Sequence, residues 1–160
     1  MPTVPQSLVE NLLYKEARLL DSGCHDEWLS LWAADAVYWI PFDPESDPNR
    51  HATILYITRQ QLEDRVFRLT SGNAVAFSQD PQPRLSRIIS NIEVESMNGS
   101  EQLAAHSVFN LTHLRRGKQS TFAGRTEHVL TTIDGELRIA SKKVVLVNRD
   151  EPIPNLSFFL

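Results

Sequence analysis

The chain has 160 residues, 41% of them hydrophobic and 22% charged, the size and make-up of one globular domain spanning 1–160. A net charge of −4 and a pI near 5.7 argue against a nucleic-acid or anionic-membrane binder, which would present a basic face. A single cysteine, Cys24, excludes an internal disulfide, a four-cysteine zinc site, a CxxC redox pair and an iron–sulfur cluster held by this chain alone.

The first residues, MPTVPQSLVENLL, lack the basic and apolar regions of a signal peptide, and no apolar run approaches the ~20 residues that cross a bilayer. The expected compartment is the cytoplasm. The three Asn-x-Ser/Thr matches at Asn98, Asn110 and Asn155 then read as chance.

SLVENLLYKEARLLDSG predicts a helix opened by a Ser7–Glu10 capping box and ended by Gly23. Leu8, Leu12, Leu13, Ala17, Leu19 and Leu20 form its apolar stripe. DEWLSLWAAD predicts a second, shorter helix capped by Asp26, with Trp28 and Trp32 one turn apart. Val37 to Ile40 reads as a strand, PFDPESDPNR as a turn-rich loop and TILYI as a short apolar run. RQQLEDRVFRLTSG predicts a helix with Leu62, Val66 and Leu69 on one face, an Asp64–Arg68 pair, and Gly72 past its end. A polar, proline-bearing loop follows through SQDPQPR.

The second half alternates. RLSRIISNIEVESM places Ile88, Ile92 and Val94 on one face and Arg87, Asn91, Glu93 and Glu95 on the other. NGS, RRGK and DG are hairpin turns, and EQLAAHSVFNLTHL puts Leu103, Ala105, Phe109 and Leu111 on one side. Helices first and long antiparallel strands afterwards predict an α+β fold, with helices against one face of a strongly curved sheet.

Five histidines are scattered. His106 and His113 lie seven apart on one predicted strand and so face opposite ways, and His51 has no HxxxH or HxH companion, so no metal site is expected. Tyr14, His106 and either Asp35 or Asp43 could meet inside a cone as an acid–base set for a stand-alone dehydratase, isomerase or cyclase; Tyr14, Asp43 and His106 are the set carried forward. The more ordinary reading makes them a helix-face, a helix-end and a sheet-surface residue. Charged Arg18, Asp64, Arg65 and Arg68 are candidates to meet a partner. Phe158 and Phe159 in the apolar tail NLSFFL either fold back or dock on a neighbour.

YKEARLLDSGCHDEWLSLWAADAVYWIP, LYITRQQLEDRVFRL, RLSRIISNIEVE, KKVVLVN and NLSFFL occur in order along nearly the whole chain. Together they resemble the small (β) subunit of Rieske-type aromatic-ring-hydroxylating dioxygenases. His128 in GRTEHVL and Leu137 in GELRIA depart from the common pattern. The resemblance implies an NTF2-like (nuclear-transport-factor-2-like), SnoaL-like cone. It implies a non-catalytic assembly subunit without a cofactor or metal of its own, forming a homotrimer within an α3β3-type hexamer. The partner large (α) subunit would carry the [2Fe–2S] Rieske cluster and the mononuclear Fe(II).

Overall fold

The computed structural model describes residues 3–71 and 81–160. Its elements run α1 (Gln6–Asp21), α2 (His25–Leu29), β1 (Trp32–Pro41), β2 (Thr53–Thr58), α3 (Arg59–Thr70), β3 (Arg84–Ser96), β4 (Leu103–Arg115), β5 (Lys118–Ile133) and β6 (Glu136–Leu146). Six strands form one sheet in the order β2-β1-β6-β5-β4-β3. All neighbours are antiparallel except β1 and β6, which run parallel. The three helices pack on one face, α1 over β3 and α3 over β1 and β2, as the order of helices and strands predicts.

Local chemistry explains most boundaries. α1 ends in a Schellman motif, with the Cys24 amide donating to Leu19 O and the Gly23 amide to Leu20 O, and Gly23 has a φ of 71°. Thr58 and Gln61 form a reciprocal capping box that opens α3. Two-residue turns at Arg116–Gly117 and Asp134–Gly135 have positive φ at both positions, the geometry that matches strand twist. Where the sheet curls, a side chain at Gly124 would put its Cβ 2.2 Å from Val145 O, so only glycine fits.

Four expectations are corrected. The Ser7–Glu10 box does not form: Pro5, two positions before Ser7, is the N-cap of α1, and Glu10 accepts from Gln6 instead. Asp26 is not a cap, because the end of α1 runs straight into α2 and leaves Cys24 at that position. Trp32 is not helical. Pairing with Ile139 pulls it into β1, while Arg59 donates to Leu29 O, Trp32 O and Ala33 O and satisfies the carbonyls at the corner. The pair between Asp64 and Arg68 goes to the Asp64 backbone oxygen, 3.3 Å from Arg68 Nε. Gly72, and the part of the proline-bearing loop at 78–80, fall outside the described residues.

A fifth correction changes the interior. Asn91 sits at φ 54° in a β-bulge between Ser90 and Glu93. Before the bulge Leu85, Arg87 and Ile89 are the more buried positions, and after it Ile92 and Val94. Arg87 therefore turns inward and Ile88, 66% exposed, outward.

Candidate functional site

The concave side is lined by aromatic groups from α2 and β1 and closed by the C-terminal tail. Trp28, fully buried, meets Trp32 edge-on at 5.3 Å, so the two rings touch although they sit on different elements. Phe159 lies 4.4 Å from Trp28 and stands edge-on to Tyr38 at 6.0 Å. Phe158 fills the space between His113 and Phe122, at 4.7 and 5.1 Å. Polar contacts hold the tail: the Leu160 amide donates to Tyr38 Oη at 3.1 Å, and Arg87 donates to Phe159 O while pairing with Asp21. Burial pushes the Tyr38 phenol up to about 12, and its bond to Leu160 opposes the rise.

Beneath the aromatics lies a buried ionic cluster. Glu16 from α1 accepts from Lys142 Nζ at 2.5 Å and from His128 Nε2 at 2.7 Å, with Trp28 Nε1 at 3.5 Å. Burial works to raise the Glu16 carboxyl pKa, but the Lys142 ammonium and the His128 bond outweigh it and hold the group well below the usual carboxylate range. Burial lowers the Lys142 ammonium from its ordinary value, and Glu16 opposes that only in part. The space left beside this cluster is a chamber of about 20 Å³.

The residues proposed for acid–base work lie apart. Tyr14 is half-exposed on α1. Asp43 is in the exposed loop after β1, where its Oδ1 accepts from the Glu45 amide at 2.8 Å. His106 is on the opposite face of the sheet, 3.0 Å from Glu95 and 3.6 Å from Glu127. No hydrogen bond or ion pair joins any two of the three. Asp35 is exposed within β1. Glu16, Lys142 and Arg87 were not singled out, and His128 only as a departure from the family pattern. Glu16 carried a signal, since it falls three and four residues after Leu13 and Leu12 and so interrupts the apolar stripe.

Of the partner candidates, Arg18, Asp64 and Arg68 are exposed and Arg65 is half-buried, with Phe67 between them 66% exposed. Phe158 and Phe159 are inside, 7% and 2% exposed, so the tail takes the folded-back option. The convex sheet face carries no helix among the described residues. It bears a groove of about 370 Å³ lined by Glu93, His106, Arg125, Glu127 and Lys143. Also among the described residues, no three His, Cys, Asp or Glu side chains gather so as to hold a metal ion, and no helix is long and apolar enough to cross a membrane.

Comparison with known proteins agrees with this architecture. The family model described as "Ring hydroxylating beta subunit" matches residues 15–150. The 2-halobenzoate 1,2-dioxygenase small subunit of Burkholderia cepacia is 34% identical over 85% of this chain and 84% of its own. The benzoate 1,2-dioxygenase subunit beta of Acinetobacter baylyi is 32% identical over 92% of this chain and 89% of its own. The crystal structure of the benzoate 1,2-dioxygenase beta subunit from Burkholderia mallei superposes with a TM-score of 0.78 at 31% identity, covering 99% of this chain and all of that one. A putative scytalone dehydratase from Novosphingobium aromaticivorans shares the fold at 15% identity, with a TM-score of 0.63 over 89% of this chain and 83% of its own.

Proposed function

This chain belongs to the ring hydroxylating beta subunit family, and we propose from that premise that it is the non-catalytic small subunit of an aromatic-ring-hydroxylating dioxygenase. One observation carries the reading. Among the described residues, the chain's own Trp28, Tyr38, Phe159 and Leu160 fill the concave side, leaving about 20 Å³ beside Glu16 and about 90 Å³ beside Leu20 and Phe158. A cavity that takes a benzene ring needs on the order of 150 Å³, so an aromatic substrate has no room here and the molecule works through its outside. The same closure leaves the described residues without a chamber of that size for a stand-alone dehydratase, isomerase or cyclase.

The partner is the large subunit, whose Rieske cluster and mononuclear iron carry the redox chemistry. This chain has one cysteine and no gathered donor set among its described residues, which does not fit either group. The assembly is an α3β3 hexamer built on a trimer of this chain, in the cytoplasm. Arg18 and the Asp64–Arg68 face of α3, with exposed Phe67, supply contacts to the neighbours. The relatives named for benzoate and 2-halobenzoate support an aromatic carboxylate as the substrate of the complex.

Co-expression with the large subunit, followed by size-exclusion chromatography with light scattering, tests the reading. A hexamer burying well over ~2,000 Å² per interface set is expected. A chain that stays monomeric both alone and beside the large subunit would overturn it.

A further inference from the structure

The base of the cone holds a polar atom that neither the packing nor an assembly role uses. His128 is 3% exposed, its Nε2 lies 2.7 Å from Glu16 Oε2, and its Nδ1 has no hydrogen-bond partner among the described residues. An ionised carboxylate only accepts, so the imidazole proton sits on Nε2. The single charge of Glu16 already faces Lys142 Nζ at 2.5 Å. A second proton on His128 would place another buried cation beside Lys142. The hydrogen-bond geometry points to the Nε2–H tautomer, in which Nδ1 carries a lone pair without a donor among the described residues.

The chamber of about 20 Å³ lies against this residue. Its walls are mostly apolar, from Leu13, Leu20, Phe109 and Leu160, with charged Glu16, Arg87 and Lys142 and the hydroxyl residues Ser107 and Thr126 interrupting them. Ser107 and Thr126 are cross-strand partners, both buried, one inward step along the sheet from the Ala105–His128 pair. A single water needs roughly 10–15 Å³ and two or more polar partners. An apolar occupant would leave Nδ1 unpaired, an anion would meet both that lone pair and the Glu16 carboxylate, whose charge already faces Lys142, and a larger alcohol exceeds the volume.

We propose that this chamber is a binding site for one neutral hydroxyl donor, a water molecule, which donates to His128 Nδ1 and is held by the hydroxyls of Ser107 and Thr126. The bound water fixes the imidazole plane and with it the bond to Glu16. His128 is thus a positioning residue that ties α1 to β5 through Glu16, while Lys142 ties the same carboxylate to β6. The network Lys142–Glu16–His128–water then leaves no polar atom of the cluster without a partner. This inference is independent of the assembly reading.

The test uses the full chain labelled with ¹⁵N-histidine. Long-range ¹H–¹⁵N spectra are expected to show His128 protonated at Nε2 only, with Nδ1 shifted as an acceptor and an exchange peak linking bulk water to protons lining the chamber. A high-resolution crystal structure should place an oxygen within ~3.2 Å of Nδ1. Combined Ser107→Ala and Thr126→Val substitution removes the cradle. It should abolish the water peak and move the Nδ1 signal while the Nε2–H persists, a response that a purely packing role would not produce. A proton on Nδ1, an empty chamber, or an Nδ1 signal indifferent to the double substitution would each overturn the proposal. If the double variant fails to fold, the tautomer and crystal measurements on the unaltered chain decide it.

Discussion

Strands β5 and β6 present nearly the same chemistry to both sides of the sheet, one residue out of step. Facing in, His128 and Lys142 meet Glu16 at 3–5% exposure, and the Glu16 and Lys142 titrations are both moved from their ordinary values. Facing out, Glu127 and Lys143 stand in one row with His106, and the His106 and Glu127 side chains are about two-fifths exposed. Lys143 there donates to Pro44 O and lies 5.3 Å from the Trp39 ring. The residue types match, so what differs is water. The inner carboxylate has only its protein partners to stabilise it, whereas each outer charge retains solvent as an alternative.

The largest effects should appear when the two faces are mutated in parallel. Lys142→Ala leaves Glu16 buried without its ammonium, and we expect about 3–5 kcal/mol of lost stability in urea denaturation. Lys143→Ala, one position on, should cost less than ~1 kcal/mol. Equal losses would end the distinction.

The aromatic pairs extend it. Phe159→Ala empties the space between Trp28 and Tyr38 and should cost about 3–5 kcal/mol, with a change in tryptophan fluorescence. Phe67→Ala, on the exposed face of α3, should stay within ~0.5 kcal/mol for the chain alone.

A smaller effect tests burial through pH. The folded Tyr38 phenol titrates near 12 against an ordinary value of 10. A raised pKa means the unfolded chain loses this proton first. The contribution is therefore intact below pH 10 and falls as pH rises from 10 to 12, by up to about 2–3 kcal/mol. Thermal melts across that range should show the loss, and Tyr38→Phe should flatten it. A more local change concerns the bulge that turns Arg87 inward. Asn91→Val puts a β-branched residue at φ 54° and should cost about 1–2 kcal/mol, while Asn91→Gly should be near neutral.

Residues that follow local rules were legible in the sequence. Gly23 as the end of α1, the turns at RRGK and DG, and the alternation of Leu103, Ala105, Phe109 and Leu111 all hold, because each depends on neighbours a few positions away. Arg87 was assigned to the wrong face because a period of two carries no information about a slip in phase, and Asn91 only permits the slip. Trp32 was read as helical because its spacing from Trp28 suits a helix, but the partner that pulls it into a strand, Ile139, lies over a hundred positions away. The ionic cluster was hidden for the same reason: Glu16, His128 and Lys142 come from three distant segments, and Glu16 left a mark only by breaking an apolar stripe, His128 only by departing from the family pattern.

The sequence by itself determined the element types, most turns, the α+β order and the family likeness, since these are written in periodicity, turn residues and short motifs. Tertiary structure alone decided which charges lose water and that the tail's phenylalanines close the cone from within. Those outcomes depend on which distant segments share a volume, and volume and solvent access are properties of the packed chain.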